Sequence, residues 1–186
     1  QDDLRLSGKW ADLIPTIPQG QNYLWHTSRG GGVPLFGWRT RYWSFLLKLA
    51  KDQPAWTIQA SPGPATGPFH WDNRLLSVRE MARLQSFPHE IQFAGAYRSA
   101  RKQIGNAVPP ALAEAVANRL LSHLTGSKYC REVSLAISRR SDLPKQTPHQ
   151  QLPSKYLCLR GDHQAHPGHG LGPAALRRES SSVSAS

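Results

Sequence analysis

Residues 74–110 have the sequence RLLSVREMARLQSFPHEIQFAGAYRSARKQIGNAVPP, and the organisation of the rest of the chain follows from them. This stretch holds two dense motifs, residues 77–88 and 103–110, about fifteen residues apart. The first motif predicts a helix with a defined start and a defined end. The second predicts a tight backbone turn that leads directly into another helix.

A capping box opens the first motif. The Ser77 hydroxyl is placed to accept a hydrogen bond from the backbone amide of Glu80, whose carboxylate can reach back to the amide of Ser77. Pro88 prevents the helix from continuing beyond Phe87. One face of the helix carries Val78, Met81, Ala82 and Gln85. Taken alone, the motif would also fit an ordinary capped helix on a protein surface.

Glycine and proline organise the second motif. Gly105 allows backbone dihedral angles that other residues avoid, and Asn106 tolerates left-handed angles. Pro109 and Pro110 favour the first turn of a helix over about residues 109–124, which Gly126 would end. This helix is expected to pack on a sheet or another helix through an apolar stripe of Leu112, Ala113, Val116, Ala117, Leu120, Leu121 and Leu124. By itself, the motif would also fit a loop before a helix.

The N-terminal part is predicted to be a mixture of short elements. Residues 7–14 and 41–51 have apolar side chains at helical spacing, and a proline follows each run. Residues 55–60, AWTIQA, favour a strand because Trp, Thr and Ile suit a pleated surface. The following SPGPATGPFH consists almost entirely of turn signals.

The chain is strongly basic. Its 186 residues have a formal net charge of +11 and an isoelectric point near 10.3, which indicates a polyanionic partner such as nucleic acid, or else a solvated basic tail. Arg39, Arg41 and the cluster at 98–102 are candidates for contacts with DNA phosphates, which position a protein without reading sequence. Arg39, Arg41 and Gln59 are alternatively candidates for reading base edges in the major groove.

Composition disfavours several other classes of protein. No apolar run approaches the roughly 20 residues that span a bilayer, and no signal peptide is visible. Cys130 and Cys158 lack the spacing of a metal site, and the histidines of residues 163–169 have no second cluster to bind a metal with. We therefore predict no membrane association and no metal site. Residues 126–186 have few large apolar side chains and are predicted to be a low-complexity, mostly disordered tail.

Together, the two motifs closely resemble motifs IX and X of DNA cytosine-5 methyltransferases. The resemblance is carried by RLLSVREMARLQSFPHEIQF and by QIGNAVPPALAEAVANRL. It implies an α/β fold: an incomplete Rossmann-like, S-adenosylmethionine-dependent methyltransferase with a small irregular α+β recognition region. It also implies part of a target recognition region at residues 1–73, a segment returning to the catalytic domain at 74–125, and a tail at 126–186.

The resemblance assigns roles to individual residues. Asn106, Ala107 and Val108 match the motif that lines the S-adenosylmethionine pocket. Thr57 and Ile58 match recognition-domain residues at the DNA backbone and the flipped nucleotide. Six further residues that build or match the two motifs are interpreted as structural: Ser77, Arg79, Glu80, Arg83, Gln85 and Gly105.

Enzymes of this family flip a cytosine out of duplex DNA and transfer a methyl group from S-adenosylmethionine to its C5 atom. This sequence has no FxGxG loop, no Pro-Cys nucleophile, no Glu-Asn-Val and no Gln-x-Arg-x-Arg. No residue is therefore expected to be catalytic. A chain that begins at Gln1 is expected to be a fragment, inactive without the missing N-terminal catalytic half or a complementary chain.

The resemblance implies a cytoplasmic, DNA-associated enzyme of bacterial or phage type that acts on double-stranded DNA, usually in restriction–modification. Two alternatives stay open. One is a DNA-binding recognition module without catalysis. The other is a truncated reading-frame product, since the composition changes after Gly126.

Overall fold

The structure, a computed structural model, describes residues 3–38, 40–63, 65–126, 145–146 and 148–161. Its regular elements are three α-helices, α1 (Val78–Leu84), α2 (Tyr97–Asn106) and α3 (Pro110–Thr125), and 3₁₀ helices at Ile14–Thr16, Tyr23–His26 and Ser154–Leu159. Within these ranges extended segments pair only at isolated bridges: Thr27 with Phe36, Phe45 with Thr66, and Lys48 with Phe69. The described residues thus contain no sheet of the expected Rossmann-like kind. No described helix is long and apolar enough to cross a membrane.

An aromatic core holds the N-terminal part together. Its buried members are Leu13, Ile14, Ile17, Tyr23, Leu35, Phe36, Leu46, Ala65, Phe69 and Tyr156. Trp10 packs over this core, with its ring edge-on to Phe45 at 5.3 Å between centroids. A chain with little regular hydrogen bonding is therefore organised here by burial of large rings, which remove much apolar surface from water.

Part of the predicted disordered tail folds onto the aromatic core. Tyr156 is 3% exposed, its ring stacks on Trp10 at 6.3 Å, and its hydroxyl donates to the carbonyl of Lys9 at 2.7 Å. The amide of Gln150 donates to the carbonyl of Pro15 at 2.9 Å. The prediction of disorder is therefore wrong for residues 148–161, because one buried tyrosine with local apolar neighbours is enough to anchor them. Residues 127–144 and 162–186 lie outside the described residues.

Three predicted elements of the N-terminal part are not formed. Residues 7–14 make turns before the 3₁₀ helix at Ile14–Thr16. Residues 41–51 are irregular because Leu46 has a φ of +54° and its amide donates to Ala65, while the amide of Leu49 donates to Phe69. Residues 55–60 form no strand and take part in none of the isolated bridges. In each case long-range contacts replace the local pattern.

The first motif forms the predicted capped helix, which ends before the predicted limit at Phe87. The amide of Glu80 donates to Ser77 Oγ at 3.2 Å, and the amide of Ser77 donates to Glu80 Oε2 at 2.8 Å, which completes the capping box. α1 ends at Leu84 and packs against α2. The two helices bury a second cluster, named the helical core, of Leu49, Ile58, Leu76, Met81, Ala82 and Ile104.

α3 has the predicted bounds but an exposed apolar stripe. It begins at Pro110, and Gly126 follows it with a left-handed φ of 64°, as expected for a glycine C-cap. None of its residues is buried, and Val116 and Leu124 are 60% and 72% exposed. The expected packing partner is thus not supplied by the described part of the chain.

Candidate nucleic-acid interface

The predicted recognition segment crosses α2 at Gly105. A Cβ atom on Gly105 would lie 2.4 Å from the backbone nitrogen of Ala60 and 2.5 Å from its Cα. Gly105 is therefore required by a close backbone approach. The prediction that it supplies a special turn conformation is wrong, because Gly105 and Asn106 are the last residues of α2 and neither has a positive φ. The crossing places residues 57–60 directly against the second motif.

The predicted Thr57–Ile58 pair divides between core and surface. Ile58 is 4% exposed and belongs to the helical core with Ile104. Thr57 is exposed, and the next residue, Gln59, donates from Nε2 to Ser44 Oγ at 3.2 Å. The buried Ile58 and the bonded Gln59 therefore fix the backbone next to Thr57, whose side chain is exposed to solvent.

The end of the first motif is hydrogen-bonded to the start of the second motif and to the residue that follows it. Gln85 is buried and donates from Nε2 to the carbonyl of Ile104 at 3.2 Å. Ser86, at a positive φ of 59°, accepts from the amide of Ala111 at 3.1 Å. The two motifs therefore lie side by side. Residues 89–102, which connect them, include most of α2 and form a loop whose two ends lie close together.

Glu80 is the centre of a charged cluster beneath α1. Arg74 donates to both carboxylate oxygens of Glu80, at 2.8 and 2.7 Å, and His70 Nε2 lies 3.6 Å from Oε1. The hydrogen bonds from Arg74 lower the pKa of Glu80 to about 2, whereas burial lowers the pKa of His70. Sequence reasoning missed Arg74, because its pairing depends on the turn before the helix. Arg79 and Arg83, by contrast, are exposed.

Two exposed tryptophans lie beside the recognition segment. Trp43 and Trp56 are 52% and 44% exposed, with ring centroids 5.3 Å apart. Trp56 directly precedes Thr57. The backbone beside Trp43 is fixed, because the buried Asn22 donates from Nδ2 to its carbonyl at 2.8 Å. This pair has no local sequence signal, and such rings offer a flat surface on which a base could stack.

The predicted basic residues are differently placed. The Arg41 guanidinium lies 5.8 Å from the centre of the Phe36 ring and donates to the carbonyl of Thr40 at 3.0 Å. Arg39 lies outside the described residues. Arg98 and Arg101, from the predicted 98–102 cluster, line a cleft of about 520 Å³ between α2 and the N-terminal segment.

The predicted cofactor residues form an open corner between α2 and α3. Asn106 is exposed at the last position of α2, Ala107 has extended dihedral angles of −81° and 145°, and Val108 is 62% exposed. An accessible amide beside apolar side chains suits contact with a ligand that has both polar and flat apolar parts. The described residues leave this corner open.

The described residues contain no group of three or more His, Cys, Asp or Glu that could hold a metal ion. His163, His166, His169 and Cys130 lie outside the described ranges, and Cys158 is an exposed free thiol.

The joined motifs lie within a part of the chain that matches a known family. Residues 38–122 match the family described as C-5 cytosine-specific DNA methylase. The chain therefore contains a DNA cytosine-5 methyltransferase region. The matched range includes the recognition segment, both motifs and most of α3. No solved structure matches the chain significantly.

Curated relatives are similar to this chain over part of their length. The type II methyltransferase M.SacI of Streptomyces achromogenes is 43% identical over 157 residues, which are 79% of this chain and 38% of the relative. M.BbvI of Brevibacillus brevis is 34% identical, over 65% of this chain and 32% of that enzyme. A DNA (cytosine-5)-methyltransferase 1B of Oryza sativa subsp. japonica is 55% identical over 53 residues, 4% of its length. The chain thus spans well under half of each of these relatives.

Proposed function

We propose that this chain is the C-terminal segment of a DNA cytosine-5 methyltransferase. The whole enzyme would transfer a methyl group from S-adenosylmethionine to C5 of a cytosine flipped out of duplex DNA. The observation that supports this best is the joint between the recognition segment and the two motifs: Ile58 is buried against Ile104, and Gln85 is bonded to the same residue. That joint lies inside the range matched by the methylase family.

The exposed stripe of α3 supports a return of the chain to a catalytic domain. Leu112, Val116 and Leu120 are each more than half exposed. An aligned apolar face of this size is unfavourable in water and is typical of a surface that another element covers. In the proposed enzyme, the sheet of the N-terminal catalytic half covers it. The nucleophilic cysteine would come from that half, since no Pro-Cys pair occurs in this sequence.

We place the methyl donor at the corner formed by Asn106, Ala107 and Val108. Members of the cytosine C-5 methylase family use S-adenosylmethionine, which supplies the methyl group. The exposed Asn106 amide can donate and accept hydrogen bonds, and Val108 offers an apolar contact. Both residues would hold and orient the donor, while the catalytic half would complete the pocket.

Double-stranded DNA would lie against the face that presents Thr57. The candidates for contact are Thr57, Gln59, Arg41 and Arg39, with the exposed Trp43–Trp56 pair beside them. A side chain already bonded within the protein, such as Gln59 on Ser44, is oriented before the DNA arrives. Such preorganisation favours specific contacts over purely electrostatic ones.

Reassembly from two chains tests this proposal. The 186-residue chain is mixed with a separately produced catalytic half of a related type II methyltransferase, duplex DNA and radiolabelled S-adenosylmethionine. We expect label in DNA only when both chains are present. A folded two-chain complex that leaves DNA unlabelled would contradict the proposal.

A DNA-binding module without catalysis is a second candidate, favoured by the exposed tryptophan pair. Gel-shift assays at two salt concentrations distinguish it, since specific binding survives salt better than phosphate contact alone.

The third reading, a frameshifted tail, is disfavoured by two observations. Tyr156 is buried in the aromatic core, and the match to M.SacI covers 79% of the chain, so it must extend beyond residue 126.

A further inference from the structure

A basic cleft of about 520 Å³ lies between the N-terminal segment, the turn at residues 60–63 and the start of α2. Four cationic residues line it, and its lining includes no acidic residue: the cations are Arg5, Lys9, Arg98 and Arg101. Arg5 is already paired, since its Nε lies 3.0 Å from Asp3. The remaining three cations give the cleft a net positive charge.

Arg101 is the unusual member of this group. Its side chain is partly buried, and its Nε atom is shielded from solvent without a hydrogen-bond partner. No carboxylate of the described residues forms an ion pair with it. Burial lowers the pKa of the guanidinium, although the nearby Tyr97 opposes this. The guanidinium has no carboxylate partner among the described residues, and because its side chain lines the cleft, an external anion that enters the cleft can pair with it.

The cleft adjoins the recognition segment. Ala60 and Ser61 form one side of it, and Ala60 is the residue that contacts Gly105 in the crossing. A ligand in the cleft would therefore lie within a few residues of Thr57 along a backbone that is held rigidly. The anion most compatible with this position is one that DNA brings when it approaches the Thr57 face.

We propose that this cleft binds a phosphate of the DNA backbone, with Arg101 and Lys9 as its main ligands. The inference rests on the proposed function, because it takes duplex DNA as the source of the phosphate. Arginine suits this role, since its fork of N–H groups matches phosphate oxygens, while lysine acts as a compact charge. The contact fixes the register of the recognition segment on the duplex and reads no base.

The test measures DNA affinity by fluorescence anisotropy as a function of salt, using the full 186-residue chain. Arg101→Gln and Lys9→Gln are compared with Arg119→Gln, which neutralises an exposed arginine of α3 outside the cleft. Each cleft variant is expected to raise Kd about tenfold at low salt and to reduce the slope of log Kd against log salt by about 0.9, equally for all duplex sequences. Arg119→Gln should leave the slope unchanged.

A second measurement separates this site from the proposed function. Thermal denaturation is followed with inorganic pyrophosphate as a probe, for the wild type and for Arg101→Gln. The melting temperatures of the two proteins are first compared without pyrophosphate, because Arg101→Gln also removes the hydrogen bond between Arg101 and Tyr97. Stabilisation of the wild type alone by pyrophosphate supports the site.

Each combination of results from the DNA and pyrophosphate measurements either supports the phosphate site or excludes it. Unchanged DNA affinity and salt slope in both cleft variants would overturn the site while leaving the methyltransferase proposal intact. The wild type could also fail to bind DNA while pyrophosphate stabilises it in a way that depends on Arg101. That result would show an anion site and would contradict a DNA phosphate as its ligand. Binding of neither probe would refute the site altogether.

Discussion

Replacing Gly105 with alanine tests the crossing that joins the recognition segment to the second motif. The added Cβ atom would lie 2.4 Å from the nitrogen of Ala60 and 2.8 Å from the carbonyl carbon of Gln59. Both are backbone atoms, so no side-chain rotation relieves the overlap. Either α2 or residues 57–60 must move.

The magnitude follows from two opposing effects. Overpacking of this kind typically costs about 1–3 kcal/mol, and contact with backbone favours the upper part of that range. Alanine in a helix gains about 1 kcal/mol over glycine. We therefore expect Gly105→Ala to lower the free energy of unfolding by about 1–2 kcal/mol, which corresponds to a melting temperature about 3–6 °C lower.

Urea denaturation monitored by tryptophan fluorescence measures the change. Gly63→Ala is the matched control, because the Cβ atom there would meet only Thr66 Oγ1, at 3.4 Å, and the φ of Gly63 is not positive. It should change the free energy of unfolding by less than about 0.5 kcal/mol. A Gly105→Ala variant as stable as the wild type, or more stable, would show that the backbones do not approach closely and would refute the reasoning.

Three further predictions concern the charged cluster, the tryptophan pair and α3. Because the folded-state pKa of Glu80 is depressed to about 2, its stabilisation is present above about pH 4.5 and lost as the pH falls towards 2. In acid denaturation, Glu80→Gln should remove about 1–2 kcal/mol of the pH-dependent part of the free energy of unfolding. This value is reduced because the Glu80 side chain is 35% exposed. An unchanged acid transition would contradict the prediction. Trp56→Ala should weaken binding to DNA with an extrahelical base about tenfold in anisotropy titrations, with Trp43→Phe as the milder control; equal affinities would exclude stacking. The double variant Val116→Lys and Leu120→Lys should scatter less light at high concentration, and its melting temperature should not fall, since both side chains are exposed. The same variant should fail to reassemble with the catalytic half. Retained reassembly would exclude α3 as the docking face.

Local signals predicted α1 and α3 but not α2, which includes Gly105 and Asn106 of the predicted turn. The capping box of Ser77 and Glu80, the stop before Pro88 and the glycine cap at Gly126 each depend on residues within one or two turns. Sequence alone contains all the partners of such interactions, which is why the start of α1 and both ends of α3 agree with the prediction. α1 ends at Leu84, before the predicted limit at Phe87, because Ser86 has a positive φ.

Long-range packing overrode the local pattern elsewhere. The helical spacing at residues 41–51 is genuine, but the amide of Leu46 bonds to Ala65 and the ring of Phe45 packs edge-on to Trp10. The burial of Tyr156 was likewise invisible, because the composition of a tail does not reveal a distant stacking partner. Helical spacing and β-propensity are weak where tertiary contacts offer larger gains.

For the candidate site, residue identities were predictable and their arrangement was not. The motif resemblance selected residues 57–58, 77–88 and 103–110 from the sequence, and the family comparison supports a cytosine C-5 methylase region across them. The roles assigned to Asn106, Ala107 and Val108 stay predictions. The buried, unpaired Nε of Arg101 could be found only in three dimensions, since an arginine's partners are set by whatever the fold brings near it.

The sequence by itself therefore determined the family resemblance, the basic charge, the start of α1 and the bounds of α3, because these depend on residue types and near neighbours. Only the tertiary structure decided that Gly105 is needed for a backbone crossing, that Gln85 binds the carbonyl of Ile104, and that no described residue covers the α3 stripe. Those facts depend on distances between segments far apart in the chain, which packing alone establishes.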